Sequence, residues 1–303
     1  MSSPSFAVGT LVEHVSCPEW GPGKILDLYA ATVTVYFRDY PEHKPGDAVK
    51  KIQQNFLRLA ETQSDPWLDN LPPLKNGSLG FARARMTLDQ AVVFFQRKFP
   101  LGFNDHEYFG DTKDGERHYK LRHHDLYLQL FGKEVGQEIL RKNDIDEIVR
   151  RALRLFSINL LHPQEQIKVR EALQNKTATG EFFRCLFALI SKQGVDRYLF
   201  EDYLVSAANL QVIKGKRVAT WPVVTLLPFL ADPTRFMFLK PEPTLQAAEL
   251  LAFDLQYIPT PNWETYNRLL HMSKLLMEKL QPLGARDWID VQSFIWVVSE
   301  NYY

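Results

Sequence analysis

The sequence predicts a multidomain β + α chain, a small β-barrel followed by a larger all-α domain. Three observations carry that prediction. Apolar residues alternate at period two only before residue 61, the stretch "ETQSDPWLDNLPPLKNG" is rich in Pro, Asp, Asn and Gly, and from Thr87 onward the apolar spacing becomes helical. With 303 residues, 45% of them hydrophobic and 24% charged, the chain is long enough for one large core plus a satellite domain. The expected boundaries are a barrel over 5–61, a linker over 62–79 and the helical domain over 80–303.

Taken in order, "TLVEHV" alternates, "GKILDLY" follows a Gly-Pro-Gly turn, and "TVTVYF" places Val33, Val35 and Phe37 on one face with Thr32, Thr34 and Tyr36 on the other. A loop with two prolines, "RDYPEHKPGD", precedes "VKKI" and "FLRLA", a fourth and a fifth short strand. Five short strands with tight turns and no helix suggest an SH3-like or Tudor-like barrel whose interior is filled by side chains.

The helical part opens with "TLDQAVVFFQRKF" behind a Thr N-cap, and "ERHYKLRHHDLYLQLFG" ends on a glycine suited to a C-cap. "DIDEIVRRALRLFSIN", "HPQEQIKVREALQN", "TATGEFFRCLFALISKQG", "LFEDYLVSAANLQ", "LQAAELLAF", "NWETYNRLLHMSKLLMEKLQPLG" and "DWIDVQSFIWVVSENYY" continue the period. "RVATWPVVTLLPFL" reads as a buried segment punctuated by proline, and no internal repeat is evident.

The opening stretch "FAVGTLVEHVSCPEWGPGKIL…VTVYF…VKKI…FLRLA", about a fifth of the chain, resembles a bacterial domain family of unknown function. That family is related to the Tudor-like module at the C-terminus of superfamily 1 repair helicases and to the polymerase-interacting domain of CarD-type regulators and transcription-repair coupling factors. The matching positions are Gly9, Val12, His14, Gly21, Gly23, Ile25, Val33, Val35, Phe37, Leu57 and Leu59. The chain departs from the pattern by the inserted "SCPEW", which lengthens the loop before the glycine turn. The resemblance implies docking to a protein such as RNA polymerase or a repair factor through an exposed strand edge and nearby loops. For "VTVYFRDY" as that edge, with Thr34, Tyr36, Arg38 and the loop residue Trp20 as contacts, the competing reading is an internal strand.

Formal net charge is zero, which excludes a chain-wide basic coat for nucleic acid and leaves only local contacts. Residues 117–170 hold eleven Lys or Arg against seven Asp or Glu, with four histidines. Arg117, Lys120, Arg122 and His123 are therefore candidates for weak phosphate contact, against the alternative of a solvated helix surface. Neighbouring histidines lack the i, i+4 spacing of a helical metal pair, so neither a metal nor another cofactor is expected. Around "FMFLKP" and "GARDWIDVQSFIWVV", charged and amide groups sit among aromatics. Lys240, Arg286, Asp287, Asp290 and Gln292 form either a structural ion-pair group or the lining of a pocket.

No Walker loop, G-x-S-x-G, H-E-x-x-H or Gly-rich dinucleotide turn occurs. Two cysteines far apart, Cys17 and Cys185, fit a reducing cytoplasm. The N-terminus has no apolar targeting region, and no apolar run approaches bilayer length. The expected function is that of a non-enzymatic bacterial adaptor. The alternatives are a nuclease or nucleic-acid-modifying enzyme using Asp287, Asp290 and Lys240, and a small-molecule sensor built on the aromatic-rich C-terminal half.

Overall fold

The structure is a computed structural model that describes residues 6–40, 48–75, 78–79, 86–110, 115–132, 134–210 and 217–300. The loop "PEHKPGD" at 41–47 and the C-terminal aromatics at 302–303 lie outside the described residues. A five-stranded antiparallel sheet stands at the N-terminus and a helical region follows. By internal contacts the chain forms two compact units, one of residues 1–100 with 245–255 and 296–303, the other of 101–244 with 256–295.

In the first unit the strands of this sheet are β1 (Leu11–His14), β2 (Gly23–Leu28), β3 (Thr32–Phe37), β4 (Val49–Gln53) and β5 (Leu57–Leu59), in spatial order β4-β3-β2-β1-β5. A separate two-stranded hairpin, β6 (Leu74–Lys75) with β7 (Ser78–Leu79), follows within the segment expected as a linker. Each expected strand is present because period-two alternation is a local property that packing here does not override. Val33, Val35 and Phe37 point into one core with Val12, Ile25, Leu57 and Tyr40. Gly23 is required by close approach, since a Cβ there would lie 2.6 Å from a Val35 methyl.

The opposite face of β3 is not open. Tyr36 is 1% exposed and packs with Leu11, Leu68 and Ala252. The segment expected as a linker supplies that cover. Asp65 accepts from the backbone N–H of Trp67 (3.0 Å) and of Leu68 (2.9 Å), fixing a tight turn that delivers the Trp67 indole N–H to the Leu251 carbonyl oxygen at 2.9 Å. The backbone N–H of Asp254 then donates to the Asn70 carbonyl oxygen at 2.8 Å. A Pro- and Asp-rich composition reads as linker because those residues favour turns, but here the turn aims two large apolar side chains inward.

The helices are α1 (Leu88–Lys98), α2 (His106–Phe109), α3 (Glu116–Phe131), α4 (Val135–Arg141), α5 (Ile145–Phe156), α6 (Pro163–Ala172), α7 (Lys176–Ser191), α8 (Arg197–Ala208), α9 (Trp221–Ala231), α10 (Pro241–Leu250), α11 (Trp263–Leu280) and α12 (Trp288–Glu300). Thr87 caps α1 in a reciprocal capping box with Gln90. The proline-punctuated apolar segment is itself a helix, α9, with residues 221–230 all buried; Pro222 stands in its first turn, where no N–H is needed. No helix among the described residues is long and apolar enough to cross a membrane.

Candidate functional site

The charged residues set apart in the sequence meet inside the second unit. α3 turns Arg117 and Lys120 inward, and the helical period continues that stripe through His124 to the buried Tyr127 and Phe131. α12 brings Asp290, Gln292 and Ser293 to the same place, Asp287 stands just before its first residue, and α2 contributes Tyr108.

Arg117 grips Asp287 with both terminal nitrogens, Nη1 to Oδ1 at 2.9 Å and Nη2 to Oδ2 at 2.8 Å, and Nη1 also donates to Asp290 Oδ1 at 2.7 Å. This fork matches the planar guanidinium to a carboxylate. Asp290 is fully buried and accepts further from the Tyr108 hydroxyl and, at 2.8 Å, from the backbone N–H of Arg286. Lys120, 1% exposed, donates to Ser293 Oγ at 2.8 Å and to Glu116 at 3.0 Å; Ser293 donates in turn to the Ile289 carbonyl oxygen at 2.9 Å.

Burial sets the electrostatics. It pushes the Lys120 pKa down against the pull of Glu116, and the nearby Lys240 ammonium acts in the same direction as burial. It pushes the Tyr108 hydroxyl up, reinforced by Asp290, so the phenol remains a donor. It pushes Asp290 up against the attraction of Arg117 and the Tyr108 hydrogen bond. In Arg117 burial opposes the charge, yet its two aspartates hold it protonated above its ordinary value.

These contacts leave little for an outside molecule. Both Asp290 oxygens are occupied, and Arg117 and Lys120 are turned to carboxylates of their own chain. Among the described residues no group of three His, Cys, Asp or Glu is arranged to hold a metal ion. The arrangement fastens α2 and α3 to α12 and orients the side chains between them.

The phosphate-cradling face expected from Arg117, Lys120, Arg122 and His123 is corrected accordingly. Arg117 and Lys120 are interior because they fall on the same helical stripe as Tyr127 and Phe131; Arg122 is exposed, and His123 is half-buried with its pKa lowered mainly by burial. Of the group around α12, Asp287 and Asp290 meet at Arg117, whereas Arg286 touches Asp290 only through its backbone N–H and turns its side chain to Asn104 Oδ1 at 2.6 Å; Gln292 is buried on the same helix and Lys240 is half-buried. Sequence reasoning missed Tyr108 and Ser293, although Ser293 lies three residues after Asp290, on the same helical face.

In the sheet, β3 lies between β2 and β4, so the expected open edge at Thr34, Tyr36 and Arg38 is corrected to an internal strand. Arg38 is held by Asp39 (2.7 and 2.9 Å) and by Asp65. Trp20, from the inserted stretch, lies over the end of the sheet, with ring centroids 4.6 Å from His14, 5.1 Å from Phe37 and 4.8 Å from Tyr40. Beside it Phe56 is stacked parallel to His14 at 6.1 Å. Phe56 and Val15 are exposed, 44% and 55%; Phe56 lies against the half-buried His14, which in turn meets Trp20, and Val15 is tied to Phe56 by a backbone hydrogen bond of 2.9 Å.

No protein-family model, curated protein or solved structure matches the chain.

Proposed function

We propose that the chain is a non-enzymatic adaptor whose N-terminal sheet, curled into an SH3- or Tudor-like barrel, docks a protein of the transcription or DNA-repair machinery such as RNA polymerase. The observation that carries this reading is the exposed pair Val15 and Phe56, joined through the backbone, with Phe56 against His14 and His14 against Trp20. Aromatic and apolar groups held rigidly at a surface are the usual anchors of protein interfaces. The docking contacts thereby move from β3 to the loop after β1 and the turn after β4.

Barrel closure is favoured by chain connectivity. β4 and β5 stand at opposite ends of the sheet order, yet only the turn Gln54–Phe56 joins them. A flat sheet would separate them by roughly 19 Å, four strand spacings of about 4.8 Å, which a three-residue turn does not span. In a closed barrel β4 and β5 come together and leave no long free edge, which is why the loop surface rather than strand addition is proposed for docking.

The test is binding of purified RNA polymerase, and separately of a superfamily 1 repair helicase, to the immobilised chain. We expect one of them to bind and a Val15→Asp/Phe56→Asp variant to lose roughly tenfold or more in affinity. Failure of both to bind, or equal binding by the variant, rejects this reading. Nucleic-acid contact by the helical part rests on Arg122 with half-buried His123, and is weak. The enzyme reading draws no support from Asp287 and Asp290, whose oxygens are taken up by Arg117, Tyr108 and backbone N–H groups.

A further inference from the structure

A second feature of the helical unit lies outside these roles. Between α4, α5 and α7 is a cleft of about 440 Å³, within the range of roughly 300–1,000 Å³ typical of small-ligand sites. Its floor is apolar, made by Leu140, Ile145 and the buried Phe187. Two glycines shape it. Gly136 lets the α4 backbone rest on the Phe187 ring, where a Cβ would collide, and Gly180 on α7 keeps the space open, since a Cβ there would already come within 3.2 Å of Ile145 Cδ1.

The walls carry charge of one sign. Arg141 on α4 and Arg184 on α7 line the cleft, and no carboxylate is among its lining residues. Their partners stand outside the lining: Arg184 bonds Glu181 through one terminal nitrogen, and Arg141 is 3.9 Å from Glu134. Each guanidinium has five N–H donors in a fixed fork, so both keep donors for another acceptor. An apolar floor between two cationic walls is complementary to a molecule with an apolar body and an anionic head.

We propose that this cleft binds a small organic anion of that kind, a carboxylate or sulfonate whose hydrocarbon part lies on Leu140, Ile145 and Phe187 while Arg141 and Arg184 hold its head. The inference stands apart from the docking role of the sheet, and neither test decides the other.

The probe is 8-anilinonaphthalene-1-sulfonate on the full chain, displaced in turn by octanoate, octanol and octylamine. We expect saturable fluorescence, displacement by octanoate roughly tenfold or more stronger than by octanol, and none by octylamine. An Arg141→Glu/Arg184→Glu variant, with circular dichroism and unfolding midpoint as in wild type, is expected to lose the preference for octanoate. A Gly180→Leu variant is expected to weaken all binding by filling the floor. Absence of saturable binding, equal displacement by octanoate and octanol, or an arginine variant that binds as wild type does, overturns the proposal.

Discussion

Arg38 in the first unit and Arg117 in the second are put to one use at two depths. Each donates to a pair of aspartates: Arg38 to its neighbour Asp39 and to Asp65, 27 residues away, and Arg117 to Asp287 and Asp290, 170 and 173 residues away. The difference is solvent, because the Arg38 side chain is 37% exposed and that of Arg117 7%. Water reaches Arg38, and its buried partner Asp65 keeps two backbone N–H donors if Arg38 is lost, whereas water reaches neither Arg117 nor Asp290, so the same chemistry should differ several-fold in its effect on stability.

The largest effect should come from breaking the deep pair. Arg117→Ala leaves the buried Asp290 without its counter-charge, and urea denaturation should show a loss of about 3–5 kcal/mol. A loss below about 1 kcal/mol would mean that solvent reaches the cluster and the contrast is wrong. Trp67→Phe keeps most of the packed ring but removes the indole N–H that meets Leu251, and the same measurement should show about 1–2 kcal/mol.

Lys120 sharpens the contrast through pH. Because its folded pKa lies below its unfolded value, the folded state is penalised while the side chain is charged in both states. The penalty lifts as pH rises through the lowered folded pKa, so this group makes stability rise with pH until the unfolded lysine also deprotonates near its ordinary value. Denaturation of wild type and Lys120→Met, followed from neutral toward strongly alkaline pH, should show the gap moving in favour of wild type. A gap independent of pH would place that ammonium in water.

Arg38→Ala should cost no more than about 1 kcal/mol, since Asp65 keeps its two backbone donors and Arg38 is partly solvated. Smallest of all, Arg122→Ala should leave stability unchanged and lower the slope of log affinity against log salt on duplex DNA by at most about 0.9, the share of one phosphate. A fall of three such shares in the Arg117, Lys120 and Arg122 triple alanine variant, with its fold intact, would reopen the phosphate face.

What could be read from the sequence follows the range of the interactions involved. β1–β5 and α1 were legible because alternation, turn chemistry and the Thr87–Gln90 box act over a few residues. The roles of Tyr36, Trp67 and Arg117 were not, because each depends on a partner from a distant part of the chain. One local signal was available for Arg117: stepping back by helical period from Phe131 and Tyr127 gives His124, Lys120 and Arg117, all on the core-facing stripe. The count of basic residues over 117–170 hid this, since composition carries no phase. At α12 phase was readable, but nothing local distinguishes an aspartate that lines a pocket from one that receives a buried arginine.

The tie between Trp67 and Leu251 also bears on the order in which the chain can assemble. The five strands lie within residues 11–59 and can pair as soon as they are made, but the cover over Tyr36 includes Ala252, and the Trp67 indole meets its acceptor only 184 residues later. At about 5–20 residues per second that interval is roughly 10–40 s of translation. During it a nascent sheet would present Tyr36 and Leu11 without their full cover. The sheet is therefore a structure that starts early and finishes late, and a chain truncated before residue 245 should yield a sheet that binds hydrophobic dyes and engages chaperones more than the complete protein does.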